Sequence, residues 1–354
     1  MRRFLVFGLA LVLVAGLLVV GLVVWQRLHR TPLEEALHAV PASSERVSFT
    51  DWSVVRRQVD VGLGRTPSDA RIQIFIEKAY DRDFTAASSI DSAAVAMNDK
   101  FGFGPANAQW EAYGQGHQGA TMVVKVADGA DFDVLAGNLR SDGYKSPKDD
   151  DGVWRGGEDL VAQLDPTLTP EVQYVVLLAD QGLVVTSDNA EYAASAAKVA
   201  KGDGDSVASK DGVGDMADQL GEPANAMLWA GDFACADLAM SQADQDEQDE
   251  AKQLVRAAGG VTPLNGFAMG MLPGRTLRVV AHFEDSERAK KNLRSRARLA
   301  VGDAPGRGVA FTDDFKLTTS KASGSEVVLD LEPKQSTGYV LSALYDGPLV
   351  FATC

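Results

Sequence analysis

The chain has 354 residues, a formal net charge of −15, and a composition that is 45% hydrophobic and 7% aromatic. So many apolar residues can form buried cores, which excludes a wholly disordered stalk. The negative charge argues against a nucleic-acid-binding protein, because that function needs a basic surface facing the phosphates.

The first 25 residues predict a membrane anchor. Residues 4–25 contain no charged side chain, and a helix of that length reaches ~33 Å, enough to cross a bilayer. A cleaved signal peptide is the alternative, but its apolar region is usually shorter and ends in small residues. We therefore expect a cytoplasmic tip at 1–3, a single transmembrane helix at 4–25 and an extracytoplasmic domain. The positive charges flanking the helix are nearly balanced, so this orientation depends on the two cysteines and on the acidic domain.

Residues 26–204 predict membrane-proximal helices and a first α+β lobe. Thr31 and Glu34 form a capping box with Pro32 at the first helical position, which begins a short helix. Ile72, Phe75 and Ala79 recur at helical spacing. The remaining predictions are helices at 52–55, 91–99, 131–139 and 190–200, and strands at 47–50, 110–113, 121–126, 153–154, 174–178 and 183–186.

Residues 205–354 predict a second lobe of similar order. A strand at 277–283 precedes a helix at 286–300, strands at 315–319 and 326–331, a helix at 336–344 and a last strand at 348–353. The helical segments 138–141 and 292–295 share the sequence NLRS. The fold class is therefore α+β, with an N-terminal transmembrane helix and two similar lobes of mainly antiparallel sheet with packed helices.

Several motifs that suggest chemistry have simpler interpretations. Residues 114–119 match G-x-G-x-x-G, but a strand follows where a dinucleotide site needs a helix, so a hairpin turn is expected. The acidic runs 149–152 and 244–250 lack the ligand order of a calcium loop and are read as solvated loops. His282 shares a strand face with Arg278 and Glu284, which reads as a solvated face. We expect no catalytic residue, cofactor or metal site.

The chain has two cysteines, Cys235 and Cys354. They lack the spacing of metal ligands, and outside the cytoplasm they can form one intramolecular disulfide. Such a bond would connect the C-terminal segment to the region around Cys235, so its role would be structural. Free thiols are the alternative.

The predicted helix at 286–300 is unusually basic for an acidic protein. Its narrow apolar stripe is Ala289, Leu293, Ala297 and Ala300. Its other faces carry a candidate surface for contact with anionic lipid or an acidic partner: Arg288, Lys290, Lys291, Arg294, Arg296 and Arg298. A solvated face that balances the acidic lobe is the alternative.

The tryptophans allow a second functional interpretation. Trp110, Trp154 and Trp229 could line an apolar cavity between two lobes, the usual position for a ligand cleft. Large aromatic residues are more often part of a core. A cavity would indicate a carrier for a lipidic ligand, and a core would not.

Several short motifs resemble those of uncharacterised membrane-anchored or exported actinobacterial proteins, which carry a domain of unknown function. The matching stretches are 49–52 (FTDW), 102–105 (GFGP), 110–111 (WE), 143–144 (GY), 153–156 (VWRG), 182–185 (GLVV) and 228–232 (LWAGD). The resemblance implies location and architecture, and it implies no catalytic residues.

Together these patterns predict a non-catalytic interaction module at the cell envelope, attached to the plasma membrane by residues 4–25. Its partner would be an envelope protein, polymer or lipid. The alternative is a carrier that holds an apolar or lipidic ligand between the lobes. An enzyme is the least favoured class, because the sequence contains neither a nucleophile elbow nor a P-loop.

Overall fold

The computed structural model describes residues 30–335 and 340–354. The predicted cytoplasmic tip at 1–3 and the predicted anchor at 4–25 lie outside the described residues. Within the described ranges, no helix has both the length and the apolar character needed to cross a membrane.

An antiparallel sheet of 11 strands forms the centre of the molecule, with the order β12-β13-β9-β8-β7-β1-β2-β3-β6-β5-β4. Two short strands, β10 and β11, pair separately. The strands are β1 (Arg46–Thr50), β2 (Trp110–Gly116), β3 (Gly119–Lys125), β4 (Val153–Arg155), β5 (Tyr174–Leu178), β6 (Leu183–Ser187), β7 (Asn225–Ala230), β8 (Gly266–Met271), β9 (Leu277–His282), β10 (Asp303–Ala304), β11 (Val309–Ala310), β12 (Phe315–Ser323) and β13 (Glu326–Pro333).

Helices cover both faces of the sheet, so the predicted α+β class is confirmed. The α-helices of the described residues are α1 (Pro32–Ala39), α2 (Trp52–Val59), α3 (Asp69–Tyr80), α4 (Ala94–Ala96), α5 (Phe132–Ser141), α6 (Glu158–Leu164), α7 (Ala190–Lys201), α8 (Val213–Leu220), α9 (Phe233–Asp237), α10 (Gln245–Ala258), α11 (Ser286–Leu299), α12 (Phe311–Asp314) and α13 (Val340–Leu344).

The alternation of side chains in the strands explains the two helical layers. In β7, Met227 and Trp229 join one buried cluster, whereas Ala226 and Leu228 join another. The second cluster includes α1, α7 and α8, and we call that side the α1 face. The first includes α2, α3, α5, α10 and α11, and we call that side the α11 face. Because both faces are covered, the central strands are apolar on both sides rather than alternating.

The two halves of the chain share this sheet. Strands of the first half run β1-β2-β3-β6-β5-β4, and strands of the second half run β7-β8-β9-β13-β12 in the opposite direction from the centre. The halves meet where β1 pairs with β7, with Arg46 opposite Trp229 and Thr50 opposite Asn225. Main-chain hydrogen bonds therefore continue from one half into the other.

A buried carboxyl lies close to this central seam on the α11 face. Glu111 is 1% exposed and accepts hydrogen bonds from Trp52 Nε1 at 3.0 Å and from the Ser89 amide at 2.7 Å. Burial raises the pKa of Glu111 to about 7, although these donors oppose the shift. The three groups connect α2, the 84–93 loop and β2 through satisfied polar contacts.

Three predicted elements differ from the structure, and a fourth is described only in part. The last strand, predicted at 348–353, is a 3₁₀-helix at Val350–Ala352. The acidic run at 244–250 begins the 14-residue helix α10, because Asp244 and Glu247 form a capping box. The helix predicted at 91–99 is the short α4 followed by a π-turn. The helix predicted at 336–344 is described over Val340–Leu344, and residues 336–339 lie outside the described residues.

Candidate functional site

The predicted disulfide between Cys235 and Cys354 is confirmed, with an S–S distance of 1.92 Å. Cys235 lies in α9, and the Leu349 amide nearby donates to the Leu238 carbonyl at 2.7 Å. These contacts hold the C-terminal segment against the second half of the chain. The bond therefore has a structural role, and the candidate contact surface lies in another part of the molecule.

The outward side of α11 carries four exposed cations, which we call the basic surface: Lys290, Lys291, Arg294 and Arg298. Asp285 caps the helix by accepting from the Arg288 amide at 2.8 Å. Ala289 and Leu299 are buried on the other side of the helix, against the sheet. The helical period therefore places the four cations together, facing solvent.

The basic surface is not neutralised by neighbouring acids. Among the described residues, no ion pair within 4.0 Å involves any of its four side chains. Lys290, Arg294 and Arg298 follow one another at four-residue spacing, and like charges at that spacing cost a helix about 0.2–0.5 kcal/mol per pair. The surface therefore carries a small internal repulsion that a bound anion would relieve.

Two of the six predicted contact residues have other roles. Arg288 pairs with Glu284 and lies 3.7 Å from Asp285, so its charge is balanced locally. Arg296 is a correction to the prediction, because it is 1% exposed and cannot reach a surface partner. The buried face of α11 is wider than the apolar stripe predicted from the sequence, because it also includes Asn292 and Ser295.

Arg296 instead connects buried segments of the chain through hydrogen bonds. Its Nη1 donates to the Phe351 carbonyl and its Nη2 to the Thr262 carbonyl, each at 2.7 Å. The guanidinium also lies 5.3 Å from the centre of the Phe283 ring. Burial lowers the pKa of Arg296 to about 9. The side chain joins α11 to the C-terminal segment and to the loop after α10.

The strand face around His282 also differs from the prediction. Helix α8 covers it, and His282 is 4% exposed rather than solvated. Its Nδ1 lies 3.0 Å from Glu326 Oε1 on the adjacent strand. Arg278, four residues earlier, forms a bidentate pair with Asp330, in which Nε donates to Oδ1 at 2.7 Å and Nη2 donates to Oδ2 at 3.1 Å. Sequence reasoning missed these pairs, because the register of β9 with β13 decides them.

The other singled-out motifs have structural roles. Residues 114–119 are in the hairpin of β2 and β3, with Gly116 opposite Gly119, so the hairpin prediction is confirmed. Trp110, Trp154 and Trp229 are all buried in the cores, as expected. Asp151, in the first acidic run, forms an ion pair with Lys201 at 2.6 Å.

The cavities that we describe each lie within one half of the chain. A cavity of about 380 Å³ is lined by first-half residues between Ile72 and Thr167. Cavities of about 610 and 340 Å³ are lined by second-half residues, the larger around Glu247 and Asp303 and the smaller around Arg256 and Cys354. None of these three lies where β1 meets β7.

The chain matches no protein-family model and no curated protein. Among solved structures, crystal form I of TP0453 is similar over 88% of this chain and 98% of its own, with 6% sequence identity and a TM-score of 0.38.

Proposed function

We propose that the chain is a single-pass, plasma-membrane-anchored protein with a cytoplasmic amino terminus, and that its extracytoplasmic domain is a non-catalytic interaction module at the cell envelope. Its contact surface is the basic surface of α11, and the partner it fits is an array of anionic lipid headgroups. The observation that carries this proposal is four exposed, unneutralised cations on one helix of a chain whose net charge is −15.

The strength of such a contact fits a tethered protein. Each lysine or arginine near an anionic bilayer contributes about 1 kcal/mol, so the basic surface contributes about 4 kcal/mol at low salt. That attraction is too weak to hold a free protein, since a Kd near 1 mM corresponds to about 4 kcal/mol. An anchor at residues 4–25 would supply a high effective concentration at no further cost.

The carrier alternative gains no support from an observation in the described residues. A ligand held between the halves needs a gap there, and β1 and β7 are hydrogen-bonded along five residue pairs at that position. The three cavities described above also lie within one half or the other.

The test uses lysine acetylation of the full chain reconstituted in lipid nanodiscs. One set of discs contains phosphatidylcholine alone, and the other contains about 30% anionic phosphatidylglycerol. Mass spectrometry then gives the acetylation rates of Lys290 and Lys291. Lys148 and Lys198, which are also exposed, serve as internal controls.

We expect anionic discs to slow acetylation of Lys290 and Lys291, but not of Lys148 or Lys198. High salt or the R294E/R298E variant should remove that protection. Equal rates in the two kinds of disc, or equal protection of the control lysines, would contradict the proposal. Protection by a soluble polyphosphate but not by anionic discs would replace the lipid with an envelope polymer.

A further inference from the structure

A second cluster of charged groups lies on the α1 face and is independent of the basic surface. A ring nitrogen of His282 and one carboxylate oxygen each from Asp215 and Glu326 lie within 4.8 Å of one another. His282 and Glu326 are buried, whereas Asp215 is exposed. The cluster therefore has a rigid inner side and one side open to solvent.

Three elements bring these groups together. The pairing of β9 with β13 places Glu326 directly opposite His282. Helix α8 crosses the same strands and presents Asp215 in its first turn. Gly212, just before α8, has φ +72° and lies against the imidazole, where any Cβ would overlap the ring. A glycine at this position therefore allows the loop to close over His282.

The spacing suits a metal ion. Two donors on a tetrahedral zinc ion with bonds of about 2.1 Å are about 3.4 Å apart. His282 Nδ1 and Glu326 Oε1 are 3.0 Å apart, so a separation of about 0.4 Å would open the pair for an ion. Asp215 is exposed, and a carboxylate oxygen of it lies within 4.8 Å of a ring nitrogen of His282 and of an oxygen of Glu326. The open side leaves room for water as a further ligand.

The ligand types favour a zinc-like ion over magnesium or calcium. Imidazole nitrogen with carboxylate oxygen is a common zinc donor set, whereas Mg²⁺ and Ca²⁺ take oxygen ligands. The other ring nitrogen of His282, Nε2, lies 3.9 Å from Asp211 Oδ2 and makes no hydrogen bond within the described residues. Its acidic neighbour would orient the ring and add to the negative potential.

The surrounding charges are also predominantly negative. Asp218, one turn after Asp215 on α8, lies close enough to Glu34 of α1 for the two carboxyl groups to repel each other when both are charged. Burial, followed by the contact with Glu34, raises the pKa of Asp218, and Asp215 and Glu326 contribute to the shift. A bound cation would offset this crowding of carboxylates.

We propose that His282, Glu326 and Asp215 form a binding site for a divalent transition-metal ion of the zinc class. The competing interpretation is a buried histidine–carboxylate pair that only stabilises the sheet and needs no metal. If a metal ion binds here, substitution of Asp215 should weaken its affinity. If the pair only stabilises the sheet, Asp215 has no role in metal binding. Asp215 lies at the surface, so its substitution leaves the core intact.

The test is calorimetric titration of Zn²⁺ into the full chain in a non-ionic detergent, after the protein has been stripped with a chelator. The proposal predicts a saturable site that Mg²⁺ at the same concentration does not fill. D215N should weaken zinc affinity at least tenfold. D180N, in the exposed turn between β5 and β6, is the matched control and should bind like the unmodified chain.

Zinc binding should also weaken as the pH falls, because protons compete with a metal ion for imidazole and carboxylate ligands. E326Q serves as a second variant, with circular dichroism as the check on its folding. No saturable zinc binding by the unmodified chain would overturn the proposal. Equal affinities of D215N and D180N would also overturn it, because the zinc would then bind elsewhere.

Discussion

Asp83 connects the first half of the chain to the C-terminal helix α13, and its titration should be visible in the stability of the protein. Asp83 is 2% exposed, and its carboxylate accepts from the Leu341 amide at 2.5 Å and from the Ser342 amide at 3.4 Å. Burial raises its pKa from the ordinary 3.8 to about 6, although the two backbone amides oppose the shift. Folding therefore favours the neutral carboxylic acid.

The sign and size follow from proton linkage. Well below pH 3.8 the folded and unfolded chains both hold this proton, so the contribution of Asp83 to stability is fully present. As the pH rises, the unfolded chain ionises first, and stability is lost until the folded carboxyl ionises at about pH 6. A rise from 3.8 to about 6 corresponds to a loss of about 3 kcal/mol in the free energy of unfolding.

The variant D83N keeps an oxygen that can accept from the Leu341 amide and removes the titration. Urea unfolding of the full chain in detergent, followed by tryptophan fluorescence at pH values from 4 to 7.5, measures the comparison. We expect D83N to gain about 2.4 kcal/mol relative to the unmodified chain between pH 4 and pH 7.5, because the unfolded carboxyl is already partly ionised at pH 4. Glu111, with its pKa of about 7, contributes equally to the pH dependence of the unmodified protein and of D83N. The variant E111Q measures how much of that pH dependence comes from Glu111. A difference that stays constant with pH would show that Asp83 is not buried as described.

Two further predictions concern the C-terminal segment. Replacing both cysteines (C235S/C354S) should lower the free energy of unfolding by about 5 kcal/mol in the chain-entropy model, because 119 residues separate them; an unchanged urea midpoint would contradict this. R296M preserves bulk but removes the donors to the Phe351 carbonyl and the Thr262 carbonyl, so amide hydrogen exchange at residues 350–353 should accelerate at least tenfold. R296M should leave protection of Lys290 by anionic discs unchanged, and a loss there would show that Arg296 acts at the surface.

Local patterns in the sequence determined many of the elements. The capping box at Thr31 and Glu34 begins α1 as predicted, and the glycine-rich turn between β2 and β3 forms the expected hairpin. These signals depend on hydrogen bonds between residues a few positions apart, so no distant contact is needed to read them. The disulfide was also predictable, because two cysteines permit one intramolecular pair.

The basic surface was predictable only in part. Helical periodicity groups Lys290, Arg294 and Arg298 on one face without reference to the rest of the fold. Periodicity does not show which charged residue is buried. The carbonyls that accept from Arg296 belong to Thr262, in the loop after α10, and to Phe351, in the C-terminal 3₁₀-helix, 34 and 55 positions away. A buried arginine is rare without such acceptors, so the sequence alone favoured exposure.

Tertiary structure decided the organisation of the halves and the His282 cluster. Strand patterns predict strands but not their partners, and the pairing of β1 with β7 joins residues about 180 positions apart. Glu326 and Asp215 reach His282 through strand register and helix packing, neither of which leaves a local signal. The physical reason is that cross-strand and interlayer contacts depend on which apolar faces pack together, a property of the whole chain.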